Sequence, residues 1–456
     1  MKKIICLILI LSFALPLVSC KKSKSFINGT NLKEFSIVYS NEDLDYSKRA
    51  AEYIQAEILD RTKLELPLVE DSEKPVTDYE IVVGNTEREI SKKLNADTEG
   101  LEFAILADEK SVALEGDYFI IAAAAYFFIE TYVPSADCEA TIPEETKIYE
   151  PIVKEAKNFI LLIGDGMGYY QTKMFEQIEN KAEYSDGEDV FYGWLLPYMG
   201  YSRTASLTGV TDSAAGGTAL ACGTKTYNEH VGKDGDGNDV KNMTELAHEL
   251  GKSAAVMSTE VNKGATPATF SAHALNRDDS TTIINSQAEA MRNGLIIDCG
   301  FNNAFNQRYI KNMEEEHIMK TLSAIDGNEA GFFLMYEEAY IDKHCDDMDM
   351  EKAFNAMIRF NQAIGRFMEY AFYNPETMVI ITADHETGGL EPDENGVLTF
   401  ATTEHTGANV PVFAYGKGAE IFDGKEIENI QIAHTLAALM GEENFGDQSV
   451  YKSLTK

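Results

Sequence analysis

Four apolar runs in this chain each lead directly into residues able to hold a metal ion. Asn158–Gly164 (NFILLIG) enters Asp165 and a glycine-rich turn, and Ser253–Ser258 (SAAVMS) leads toward Thr266. Gly331–Tyr336 (GFFLMY) enters Glu337 and then Asp342, and Thr377–Ala383 (TMVIITA) enters Asp384 and His385. Uninterrupted runs of this length read as strands buried on both faces, the situation of a parallel sheet covered by helices. Ligands of such sheets bind beyond the carboxyl ends of the strands. The pattern predicts an α/β fold with carboxylates and a histidine gathered at one sheet edge, a site for more than one divalent cation.

The chain has 456 residues, 44% hydrophobic and 25% charged, enough for a large core and two domains. Its formal charge of −36 argues against nucleic-acid binding, which needs clustered Lys and Arg. Residues 1–19 read as a signal peptide: Lys2 and Lys3, an apolar stretch from Ile4 to Leu15, then Leu17-Val-Ser-Cys20. That tetrapeptide resembles a bacterial lipobox, so Cys20 is expected to carry a lipid that tethers the protein to a membrane outside the cytoplasm, at the cell surface or in the periplasm. The four later cysteines, Cys138, Cys222, Cys299 and Cys345, show no zinc or redox spacing, and their pairing is open.

Residues 20–33, rich in Lys and Ser, read as a tether, and 34–133 as a small α/β domain. Its elements are a strand near Ser36–Tyr39, a helix from Tyr46, a strand at Tyr79–Gly84, a hairpin over Glu102–Ala107 and Ser111–Glu115, and a buried helix Tyr118–Tyr132. This order resembles the N-terminal accessory domain of some glycoside hydrolases. Residues 134–154, proline-containing and acidic, read as a linker, and 155–456 as one doubly wound catalytic domain.

The segment Thr208–Gly223 is packed with small residues, and a helix starting at Asp212 or Ser213 would set the Ser213 hydroxyl beside free backbone N–H groups. Plain N-capping explains that segment equally well. No histidine lies near Ser213 in sequence, so a metal would have to activate it. The spacing of Asp234-Gly-Asp-Gly-Asn238 with Glu245 suggests a calcium loop, but Asp239 stands where the turn needs glycine, and a polar turn is the better reading. His273 reads as a structural histidine.

Six ordered segments, Asn158–Gly168, Thr211–Ala219, Gly264–Arg277, Phe332–Lys343, Thr382–Gly388 and Glu404–Gly407, resemble those of alkaline phosphatases over about 300 residues. The resemblance implies a three-layer α/β/α sandwich around a large, mostly parallel sheet, and hydrolysis of small phosphate monoesters through a phosphoserine. It assigns the nucleophile to Ser213 and the phosphate clamp to Arg277, with Lys343 contacting phosphate through water. One zinc site would comprise Asp165, Ser213, Asp384 and His385, and the other Asp342 and His405. Magnesium would fall to Asp165, Thr266 and Glu337. The family's usual state also implies a homodimer.

Two positions depart from the family pattern. Asp346 stands where the second zinc site usually has a histidine; its carboxylate is the expected replacement ligand, with His344 the alternative. A more oxygen-rich site would accept Mg2+ or Mn2+ more readily than zinc. Gly264 stands where relatives have an Asp or His that steadies the magnesium site. The competing readings are a phosphodiesterase or other hydrolase of the same superfamily, and a glycan-binding lipoprotein with a degenerate site.

Overall fold

The computed structural model describes residues 25–41, 45–72, 78–94, 96–177, 190–300, 311–449 and 451–454. The expected signal peptide and Cys20 lie outside the described residues. Its centre is an eight-stranded sheet, in spatial order Ile296–Cys299, Ser253–Ser258, Phe332–Glu338, Asn158–Gly164, Thr377–Thr382, Val410–Tyr415, Tyr198–Arg203 and Glu426–Glu428. The first five strands are mutually parallel, and Val410–Tyr415 runs antiparallel to both its neighbours. All four apolar runs named above are strands of this sheet.

The alternation of side chains along these strands builds two cores. Ile160, Leu162, Leu334, Val379 and Ile381 face one way, against the helix Met350–Tyr373. Phe159, Leu161, Ile163, Met335 and Ile380 face the other, against the helices Ser213–Cys222, Met243–Glu249 and Ile430–Leu439. A strand needing apolar residues at both parities shows no period-two pattern, which is why the runs are continuous. The result is the expected three-layer arrangement of helices, sheet and helices.

A second sheet of six strands lies N-terminal, ordered Leu68–Glu70, Phe35–Tyr39, Tyr79–Val83, Ser111–Glu115, Phe103–Ala107 and Lys147–Tyr149. Two stretches expected to be connectors belong to this region. Phe26–Ile27, in the expected tether of residues 20–33, pairs with Thr30–Asn31 and with Glu139–Ala140 from the expected linker of residues 134–154. Lys147–Tyr149, also in that linker, closes the edge of the six-stranded sheet. Strands of two or three residues carry no readable periodicity, and their polar neighbours hid Ile27, which is buried.

The N-terminal helix Tyr46–Thr62 touches the long helix Met350–Tyr373 directly. Arg49 Nε donates to Glu369 at 2.9 Å, Arg366 reaches the same carboxylate at 3.2 Å, and Tyr53 stacks on Tyr373 with ring centroids 4.1 Å apart. Cys138, Cys222, Cys299 and Cys345 are free thiols. Among the described residues no helix is long and apolar enough to cross a membrane.

Candidate active site

Asp165, Ser213, Asp342, Asp384, His385 and His405 gather at the carboxyl ends of the parallel strands, whereas Thr266 and Glu337 are buried but belong to neither compact ligand set, and Asp346, Lys343 and Arg277 also lie outside both. Asp165 follows Asn158–Gly164 directly, Glu337 ends Phe332–Glu338, and Asp384 and His385 follow Thr377–Thr382. Thr266 lies on the short helix Ala265–Thr269, Asp342 on Tyr340–Asp346, and His405 on a bridge that pairs with Glu386–Thr387.

Small residues let these elements meet. The Asp212 side chain caps the helix Ser213–Cys222 by accepting from Ala215 N at 2.9 Å, which makes Ser213 its first residue. A Cβ on Gly216 would come within 2.9 Å of the Asp384 carbonyl, and one on Gly217 within 2.8 Å of Thr269 Oγ1. The glycines therefore bring the serine helix against the Asp384 strand and the Thr266 helix. Gly166, at φ +76°, makes the turn that leaves Asp165 facing inward.

Two compact sets of ligand atoms form, one of Asp165, Asp384 and His385 and one of Asp342, His385 and His405, each set spanning no more than 4.8 Å. His385 Nε2 lies 3.3 Å from both Asp165 Oδ1 and Asp384 Oδ2, and 3.2 Å from Ser213 Oγ. His405 Nε2 lies 3.4 Å from Asp342 Oδ1.

The hydrogen bonds on the far side of each ring settle how both histidines are used. His405 Nδ1 lies 2.9 Å from the Thr211 carbonyl, which can only accept, so Nδ1 carries a proton; without a metal Nε2 is protonated as well, since Asp342 holds His405 up to about 9, and a bound cation would take the place of that second proton. Thr387 donates its hydroxyl to Asp342 Oδ1 at 2.5 Å and accepts from His385 Nδ1 at 3.1 Å. That hydrogen bond leaves the His385 lone pair on Nε2. A histidine whose second nitrogen donates to a carbonyl or hydroxyl is the usual form of a metal ligand.

The electrostatics are those of a site built for cations. Thr266 Oγ1, Glu337 Oε1, Asp165 Oδ1 and Asp384 Oδ2 are buried with no hydrogen-bond partner among the described residues. Burial, together with the neighbouring Asp384, pushes Asp165 well above the carboxylate range. Burial, with Glu260 nearby, pushes Glu337 up to about 8. Burial also raises Asp384. Burial works the same way on Asp342, yet the His405 hydrogen bond overrides it and draws Asp342 down to about 2. Carboxylates crowded this closely out of water need a positive partner, and a divalent cation in each group would supply it. The donor set, oxygens with imidazole nitrogens, suits zinc and magnesium.

Arg277, partly exposed, reaches Asp212 Oδ2 at 3.2 Å, and that ion pair ties the guanidinium to the residue that precedes Ser213. Lys343 pairs instead with Glu260. Asp346 is exposed and outside both compact sets, but it is close enough to Asp342 that burial and this neighbour push it up to about 6. His344 faces elsewhere, with its ring over Tyr340, where burial and Arg359 lower its pKa. Gly264 leaves room that the Glu260 side chain occupies.

Thr387, the Thr211 carbonyl and Glu260 escaped the sequence reading. Thr387 had a signal, since it lies three residues after Asp384 within the Thr382–Gly388 segment; the other two are set by tertiary packing alone. Thr387→Val is expected to leave the fold intact but weaken divalent-metal binding about 10–100-fold, measured by titrating metal into the chelated protein. Unchanged affinity would show that the threonine does not orient the ligands.

The segments singled out away from this cluster have structural partners. Asp234 accepts from the backbone of Asp236 and Asn238, and Glu245 caps the helix Met243–Glu249 and accepts from His273 Nε2 at 3.1 Å. The stretch is a polar turn, and His273 is a structural histidine.

A family model described as alkaline phosphatase matches residues 156–313 and 306–401. Alkaline phosphatase 4 of Bacillus subtilis is 28% identical over 342 residues, covering 63% of this chain and 74% of the relative. The alkaline phosphatase of Escherichia coli is 24% identical over 415 residues, covering 63% and 87%. Among solved structures, the alkaline phosphatase from the Antarctic bacterium TAB5 superimposes with a TM-score of 0.55 at 26% identity, covering 63% of this chain and 99% of that one. A mutant of that enzyme was solved with Mg bound in its M3 site.

Proposed function

The chain belongs to the alkaline phosphatase family of metal-dependent hydrolases, and from that premise we propose that it hydrolyses phosphate monoesters through a phosphoserine formed on Ser213. The observation that carries this reading is the placement of Ser213 Oγ 3.2 Å from His385 Nε2, the same atom that faces Asp165 and Asp384. The serine oxygen thus points to the position where the ligand atoms converge.

Asp165, Asp384 and His385 would hold one zinc ion, Asp342 and His405 a second, and Asp165, Thr266 and Glu337 a magnesium ion. When bound, such cations lower the pKa of a hydroxyl and neutralise charge that develops on phosphoryl oxygens. Ser213 Oγ attacks phosphorus in line with the ester oxygen; the P–O bond to the alcohol breaks, and the alcohol departs. Water then attacks the phosphoserine, which releases inorganic phosphate and restores the hydroxyl. Arg277, fixed by Asp212, grips two phosphate oxygens with its planar fork, a geometry that lysine cannot offer. The N-terminal end of the serine helix adds a positive potential at the same point.

Asp346 is proposed to join Asp342 and His405, because both act on its charge whereas the His344 ring lies over Tyr340. Asp346→Ala should lower the metal content by about one ion per chain in elemental analysis. Unchanged content, or the same loss in His344→Ala, would remove Asp346 from the site.

The purified protein should cleave an aryl phosphate in zinc plus magnesium, fail with a chelator, and act far more slowly on an aryl phosphodiester. Preference for the diester would replace monoesterase by phosphodiesterase. Inactivity with every metal would favour a binding protein. The leader and Cys20 support an extracytoplasmic, lipid-anchored location, for which Cys20→Ala should shift the protein out of the membrane fraction.

A further inference from the structure

Gly264 is not required by its backbone. At φ −54° and ψ 154° it adopts a conformation open to any residue. What excludes a side chain is space, since a Cβ there would lie 1.8 Å from Glu260 Oε1. The turn after Ser253–Ser258 folds back, with Glu260 N donating to Ser258 Oγ at 3.0 Å and Gly264 N donating to the Val261 carbonyl at 2.8 Å. This turn carries the Glu260 side chain, 16% exposed, over the glycine to meet Lys343 Nζ at 2.5 Å. Ser258 Oγ, which accepts from Glu260 N, donates in turn to Glu337 Oε2, so this turn joins Glu337 on the magnesium side of the cluster to Lys343.

We propose that Glu260 is a positioning residue that takes over, from four residues upstream, the place a side chain at Gly264 would fill. It anchors Lys343 and sets the charge balance between the Asp165–Thr266–Glu337 cation site and the phosphate site. The proposal rests on the phosphatase reading for the meaning of the phosphate site, but not for the contacts themselves. One negative charge placed this way acts in opposite senses on the two ligands. It strengthens the hold on a cation beside Glu337, and it masks the Lys343 ammonium that would otherwise attract phosphate.

Calorimetric titration tests this without turnover, using magnesium on the zinc-loaded protein and inorganic phosphate on the protein saturated with zinc and magnesium. Glu260→Ala is expected to weaken magnesium binding about 10-fold and to tighten phosphate binding about 3–10-fold. The double variant Glu260→Ala/Gly264→Asp returns a carboxylate to the same space and should restore both constants. A merely structural residue would weaken both ligands together when removed, and that result, or constants within twofold of the parent, overturns the proposal. Glu260→Gln keeps the packing and removes only the charge; it should reproduce the opposite shifts even if the alanine variant melts early. Absence of phosphatase turnover with the opposite shifts intact would sink the function proposed above and leave the role of Glu260 standing.

Discussion

Ser213→Ala is expected to abolish the covalent phosphoenzyme trapped at acidic pH and to lower kcat by at least about 10³-fold, since losses of this order or larger follow removal of an attacking oxygen. The cluster itself should survive the change. Ser213 contributes one contact to the buried set, whereas Asp165, Asp384 and His385 still converge within 4.8 Å. Metal content and melting temperature should therefore stay close to those of the parent. This combination separates a nucleophile from a structural serine, which would alter stability and spare the rate. Persistence of the phosphoenzyme would move the nucleophile to another residue.

Removing the cations is expected to have the second large effect, and on stability as well as rate. Each cation present at about 100 times its dissociation constant contributes roughly 2.7 kcal/mol to the folded state. Loss of two or three should lower the melting temperature by about 10 °C or more. The effect carries a pH signature. In the metal-free protein Glu337 is pushed up to about 8 and Asp165 is also raised, chiefly by burial. Raised carboxyl pKa values mean that the folded state holds more protons than the unfolded chain between the ordinary carboxylate range and about 8, so stability falls as pH rises through that window. The chelated protein should thus melt progressively lower from pH 5 to 8, while the zinc- and magnesium-loaded protein changes little. Equal melting curves with and without chelator at every pH would contradict a cation-dependent cluster.

Part of the site was legible because three of its carboxylates are tied to strand ends. A continuous apolar run reports burial on both faces, and the residue that follows it must emerge at the sheet edge, so Asp165, Glu337 and Asp384 could be placed without coordinates. The small-residue tract around Ser213 could be read as a helix start, and Asp212 is its cap. The contacts that orient the ligands could not be read in this way. His405 donates from Nδ1 to the Thr211 carbonyl, 194 positions away in the chain, and Glu260 reaches Lys343 across 83. The short strands Phe26–Ile27 and Lys147–Tyr149 were missed for a related reason, since pairing partners far apart in sequence stabilise them without any periodic pattern of their own.

By itself the sequence determined the parallel α/β architecture and which residue types stand at the strand ends, because burial on two faces depends on residue type at a given place along a strand. Only the tertiary structure decided which nitrogen of each histidine faces the cluster, that the His344 ring lies over Tyr340, and that Glu260 fills the space above Gly264. Those outcomes depend on direction and distance between groups in space. Local sequence encodes neither.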